Sequence, residues 1–205
     1  WEKDTTEANK ITLINNGTEA GRKTPQVLQT IQYLIENADH VIIQTPYVIC
    51  NGYMYDVLQG ISDHAKLQIV LNAVEKGSNP WGCTDYLNQK KKILETGADV
   101  YELMNDYPVH TKAVLINDRL SVVGSYNLDM RSTYLDTELM LVIDSKKQSQ
   151  QINETESDYM AKRKEVLANG QETEGAKYQK KVLNWKKRLY YGVLRIIIRP
   201  LRQLL

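Results

Sequence analysis

His110 and Lys112 stand two residues apart in HTKAVLIN, a run whose β-branched, apolar composition predicts a strand. Side chains at i and i+2 of a strand leave the same face, so an imidazole and an ammonium project together. The next apolar run, LSVVGS, leads into Gly124-Ser125-Tyr126-Asn127, which sets a small residue, a hydroxyl and an amide beside that pair. Lys112 offers charge, Asn127 amide hydrogens, Ser125 a hydroxyl, and Gly124 allows close backbone approach; together they suit an oxyanion. A third run, TELMLVI (137–143), carries Glu138 among apolar neighbours, where a carboxylate is unfavourable without a partner. His110 is the partner this suggests. A carboxylate bonded to one ring nitrogen fixes the tautomer, steadies a cationic adduct and leaves the other nitrogen as a neutral nucleophile.

These groups need a scaffold, and up to about residue 144 the chain alternates short β-branched runs with helix-length amphipathic segments, the pattern of a mixed α/β sheet. Strands are predicted at KITLINN (10–16), HVIIQ (40–44), LQIVLNA (67–73) and DVYEL (99–103), and in the two runs joined by a tight turn at Asn117-Asp118. Helices are predicted from Thr24-Pro25, as cap and first-turn proline, through about Asn37, and over 53–64 and 84–96, the last stopped by Gly97. The loop EKGSNPWGC between Val74 and Thr84 is either a lip of a ligand site at a strand end or a plain surface turn with Trp81 packed down. YNLDMRSTYLD reads as an irregular connection. The polar stretch after Asp144 reads as a surface helix capped near Gly170.

With 42% apolar and 25% charged residues, 11 Gly and 5 Pro, the chain is an ordinary globular one, not collagen-like or of low complexity. Cys50 and Cys83 are too few for a disulfide scaffold and lack metal-site spacing, so two reduced thiols in a reducing interior are the simpler reading. The polar opening WEKDTTEANK has neither a start methionine nor a signal core, which suggests a segment of something longer. The net charge of +1 conceals a division: residues 175–205 hold nine Lys and Arg and no Asp or Glu, so an acidic body ends in a basic tail. The expected organisation is 1–144 as a catalytic half-domain, 145–174 as a polar helical segment and 175–205 as a basic amphipathic tail.

His110-x-Lys112, Gly124-Ser125-x-Asn127 and Glu138 together resemble one half of the catalytic signature of the phospholipase D superfamily. The stretch GSYNLDMRSTYLDTELMLVID, with TPY at 45–47, is similar in particular to the cardiolipin synthase branch. The resemblance runs from about residue 40 through 144. It implies a phospholipase D-like mixed sheet flanked by helices on both faces, plus a C-terminal helical tail. It implies a two-step displacement at a phosphodiester: His110 becomes phosphohistidine and releases an alcohol, and a second alcohol or water then attacks. Lys112, Asn127 and Ser125 would hold the nonbridging oxygens. No cofactor or metal is implied, and His40, His64 and His110 are scattered with no carboxylate cluster at ligand spacing. Tyr47 lines the pocket by the same likeness, though packing explains it equally, and Asp129 and Arg131 either brace the loop as an ion pair or touch substrate.

Two departures stand out. The acidic residue usual five places after the lysine is Asn117, at the predicted turn, where a structural role tolerates the change. The family also builds one site from two signatures, one histidine as nucleophile and the other as general acid, and only one is present here. A second copy of this chain or a preceding half would supply the other, and which histidine acts first stays open. The expected activity is phosphatidyl transfer forming cardiolipin, with phosphatidylglycerol as the expected phospholipid. A phosphodiesterase or nuclease using water, and a noncatalytic lipid-binding or dimerisation module, are the alternatives. The acidic body lacks the broad basic face of a nucleic-acid binder.

The tail KYQKKVLNWKKRLYYGVLRIIIRPLRQLL places Val182, Trp185, Leu189, Val193 and Ile196 along one helical stripe among cations. Its longest apolar stretch is too short to span a bilayer of about 30 Å. A helix lying on an anionic membrane surface, at the cytoplasmic face, is favoured over one docked on the protein's own core.

Overall fold

Alternation along the strands decides which core each residue enters. In HVIIQ, Val41 and Ile43 join one hydrophobic cluster while Ile42 packs with the other, and in the next parallel strand Leu67, Ile69 and Leu71 oppose Val70 in the same way. The computed structural model describes residues 5–202, apart from the side chain of Glu156. In chain order the elements are β1 (Lys10–Asn15), α1 (Gln26–Ile35), β2 (His40–Gln44), β3 (Val48–Ile49), α2 (Gly52–Ser62), β4 (Lys66–Asn72), α3 (Pro80–Glu95), β5 (Asp99–Leu103), β6 (Ala113–Ile116), β7 (Leu120–Gly124), β8 (Leu128–Asp129), α4 (Met130–Tyr134), β9 (Leu139–Asp144), α5 (Lys146–Met160), β10 (Arg163–Val166), β11 (Glu172–Glu174) and α6 (Trp185–Leu201).

A nine-stranded mixed sheet runs β1-β9-β7-β6-β2-β4-β5-β10-β11, and β3 pairs with β8 in a separate ribbon. Strands β2, β4 and β5 are parallel, whereas β6 runs against β2, β7 against β6 and β9 against β7. One sheet edge therefore gathers the ends of β2, β4 and β7 and the starts of β6 and β9. Helices α1, α2 and α3 bury Val27, Ile31, Met54, Leu58 and Ile93 in the larger core, and α5 covers the opposite face through Tyr159 and Met160. The mixed sheet with helices on both faces is the expected fold.

Several boundaries differ from the sequence reading. Helix α3 starts at Pro80 rather than 84, because the Asn79 side chain accepts from the N–H groups of Trp81 and Gly82 and Pro80 fills the first turn. Pro25, not Thr24, takes the cap position of α1, and among the described residues no side chain caps it. The YNLDMRSTYLD connection contains β8 and α4. The polar helix stops at Met160 rather than near Gly170, whose φ of +83° instead serves a turn between β10 and β11. Those two strands extend the main sheet beyond β5. The β6–β7 turn is tight as read, with Asn117 and Asp118 at φ 49° and 53°.

Candidate active site

His110 and Lys112 lie in an irregular segment just ahead of β6, not within the strand, yet their side chains meet. The Lys112 Nζ lies 3.2 Å from His110 Nδ1 and 3.3 Å from Nε2, and it donates to the His110 carbonyl at 3.0 Å. Near-equal distances to both ring nitrogens put the ammonium over the ring rather than on either in-plane lone pair. His110 is exposed and Lys112 half-buried. Burial pulls the Lys112 ammonium below the usual lysine range, while the carboxylates of Glu138 and Asp129 oppose that shift.

Asn72 at the end of β4 fixes this segment. Its amide donates to the Val109 carbonyl at 2.8 Å and to Pro46 at 3.2 Å, and its oxygen accepts from the Val109 N–H at 2.8 Å. A single buried side chain thus ties the residue before His110 to the TPY turn. Sequence reasoning missed it, although a polar residue closing the apolar run LQIVLN was the visible signal.

The sequence reading pairs Glu138 with His110; the structure gives Glu138 a different partner. The Ser125 hydroxyl donates to Glu138 Oε2, the Leu139 N–H donates to Ser125 Oγ at 3.0 Å, and the Ser125 N–H donates to the Leu139 carbonyl at 3.0 Å. The physical reason is topological: β7 and β9 are direct neighbours, so the end of one meets the start of the other. Gly124 is required there, since a Cβ would collide with the Leu139 carbonyl and sit 2.9 Å from Met140 Cα. The close approach it permits is that of β9.

Asn127 donates from its backbone and side-chain nitrogens to Ser132 Oγ, each at 3.2 Å, and its buried side-chain oxygen has no hydrogen-bond partner among the described residues. Asp129 caps α4 by accepting from the Ser132 N–H at 2.6 Å. Burial nevertheless pushes its carboxyl up to about 6. Arg131 pairs with Asp136 at 3.3 Å rather than with Asp129.

A cavity of about 330 Å³ opens beside these groups, lined by Tyr47, Asn79, Trp81, Asn127, Asp129 and Arg131 among others. The start of α3 at Trp81 therefore forms a wall of it, and Tyr47 packs against Gly82, where a Cβ would come within 2.9 Å of its ring. Burial, with the nearby Asp129 charge, raises the Tyr47 phenol above its ordinary value. Among the described residues no group of three or more His, Cys, Asp or Glu could hold a metal ion.

The family described as "Cardiolipin synthase, PLD-like domain" matches residues 31–158, well over half of the chain. The chain belongs to this family. Its PLD-like domain is similar to Cardiolipin synthase A of Proteus mirabilis, at 31% identity over 127 residues (60% of this chain, 25% of that protein). It is also similar to Cardiolipin synthase A of Pectobacterium atrosepticum, at 28% over 156 residues (74% and 30%). The chain thus spans between a quarter and a third of the length of these curated relatives. Among solved structures, its PLD-like fold is similar to Nuc, a phospholipase D family member from Salmonella typhimurium, with a TM-score of 0.59 at 14% identity, covering 76% of this chain and 98% of that one. A phosphatidylserine synthase from Haemophilus influenzae gives 0.62 at 16%, covering 95% and 47%. At such identities the likeness shows the fold alone.

Proposed function

We propose that this chain supplies one half of a phospholipase D-type site that moves a phosphatidyl group from one phospholipid to a hydroxyl of another, forming cardiolipin. The observation that carries the reading is the His110–Lys112 contact at an open sheet edge, with the Ser125, Asn127 and Glu138 elements converging beside it. An in-plane His110 nitrogen attacks phosphorus, the P–O bond to the first alcohol breaks, and that alcohol leaves with a proton from the second signature's histidine. The second alcohol then attacks, giving its proton back to that histidine and releasing His110. Lys112 stabilises the nonbridging oxygens as charge develops on them.

In this reading Ser125, already held by Glu138 and Leu139, positions the β7 end, and Glu138 acts on Lys112 through its charge. Asn127 faces the phosphate from the cavity wall, where Tyr47, Asp129 and Arg131 contact the rest of the substrate. The second signature comes from a preceding segment or from a second copy. An exposed apolar row at the β1–β9 edge, Ile11, Leu13, Leu139 and Leu141, begins one residue from Glu138 and supports such a contact. A phospholipid substrate, phosphatidylglycerol by the family likeness, sets the work at a membrane's cytoplasmic face.

The exposure of His110 also gives water a path to the intermediate, which favours hydrolysis as the second reading. Mass spectrometry of products from phosphatidylglycerol separates the two: cardiolipin supports transfer, and phosphatidic acid alone supports the phosphodiesterase.

A further inference from the structure

We propose that the outward face of α6 lies on an anionic phospholipid surface while its inward face clamps the helix to α3, with the helix's C-terminal end beside the cavity. Sequence composition sets membrane contact against docking on the protein. The structure separates the two roles onto opposite sides of one helix.

The inward side is built from Tyr191, Leu194 and Ile198, all buried. Two arginines of the tail belong to that side. Arg195 donates to Asn88 Oδ1 at 2.8 Å, and Arg202 grips the fully buried Asp85 carboxylate with two hydrogen bonds of 2.5 and 3.0 Å. These pairs run antiparallel along α3, so the end of α6 meets the start of α3, whose Trp81 walls the cavity. Arg202 also donates to the Cys50 carbonyl, next to the cavity residue Ile49.

The outward side repeats at helical spacing: Trp185 is 71% exposed, Leu189 63%, Val193 51% and Ile196 69%. At 3.6 residues per turn these four fall opposite the buried three, and Lys186, Arg188 and Arg199 flank them. Among the described residues no helix is long and apolar enough to cross a membrane. An apolar stripe bordered by cations, with Trp at one end and no acidic residue anywhere in 175–205, complements an anionic interface. A second copy fits less well, since pairing this stripe with itself brings its own cations together. The position of the cavity then lets a lipid pass from the surface along the helix end to the cavity wall at Asn127 and Asp129. That last step rests on the phospholipid reading above, whereas the binding itself does not.

The test is flotation of the 205-residue protein with vesicles of phosphatidylcholine alone and with added phosphatidylglycerol. The protein floats with the anionic vesicles, and Leu189→Glu/Ile196→Glu loses roughly tenfold or more in partitioning, whereas Tyr33→Glu, at an exposed apolar residue elsewhere, does not. A Trp1→Phe/Trp81→Phe protein, leaving Trp185 as reporter, is quenched by brominated lipid chains in the same vesicles. Equal flotation of the paired-Glu variant, absence of quenching, or a dimer that this variant converts to monomer overturns the proposal. His110→Ala floats like the parent, so loss of membrane binding and loss of the phosphohistidine reading register separately.

Discussion

The Ser125 hydroxyl donates to the carboxylate of Glu138, which is only 5% exposed, and the same hydroxyl accepts from the Leu139 N–H. An acidic group at the head of an apolar strand is thereby satisfied by the neighbouring strand end rather than by the imidazole. Ser125→Ala removes the donor and leaves a buried carboxylate short of its partner, at a cost of about 1–3 kcal/mol. Urea unfolding checks this, and an unchanged midpoint would show that Glu138 finds another donor.

Asn72 holds Val109 and Pro46 through three hydrogen bonds, so it positions His110 without touching the reacting atoms. In Asn72→Ala the imidazole loses its fixed approach, and kcat falls by about a hundredfold with KM little changed. Asn72→Asp, which keeps the acceptor for the Val109 N–H, recovers part of that loss. A KM effect with kcat intact would assign Asn72 to binding instead.

Burial lowers the Lys112 ammonium, and the Glu138 and Asp129 charges hold it up. The protonated form is therefore lost at lower pH than for a free lysine, and the alkaline limb of kcat/KM falls below the ordinary lysine range. Asp129→Asn removes one supporting charge and moves that limb further down. An upward or absent movement contradicts the assignment of Lys112 to the developing charge.

Asp129 titrates near 6 in the folded chain against 3.8 ordinarily, because burial outweighs its cap on α4. Between those values the native state holds a proton that the unfolded state has released, so stability declines as pH rises through the window. Above about pH 6 the full penalty, about 3 kcal/mol, persists; below about pH 4 it is gone. Asp129→Asn keeps a capping oxygen and abolishes the titration, so the variant gains on the parent as pH rises from about 4 to 6. Parallel melting curves across that range would show that Asp129 is ionised without penalty.

Much of this was legible in the residues. HVIIQ is strand β2 to the residue, and the side chains of His110 and Lys112, two residues apart, meet in a segment tied to the end of β7 by the Gly124 N–H, which donates to the Lys112 carbonyl at 3.3 Å. The missed features depend on partners distant in sequence. β10, RKEV, has one buried apolar residue, Val166, so there is no alternation to read; its pairing with β5 makes it a strand. α4 is five residues, too short for a period, though the Asp129-to-Ser132 cap spacing was present. Asn79-Pro80 reads equally as a turn or a helix start, and only the helix that follows decides. The partner of Glu138 depends on the order β6-β7-β9, which strand composition does not specify.

The most direct measurement is acid-sensitive trapping of the intermediate on the protein during turnover of phosphatidylglycerol, with the adduct located by peptide mass spectrometry. A phosphatidyl group on the peptide containing His110, absent in His110→Ala together with turnover, is the predicted result. Full turnover by His110→Ala, or an adduct on another residue alone, would contradict it.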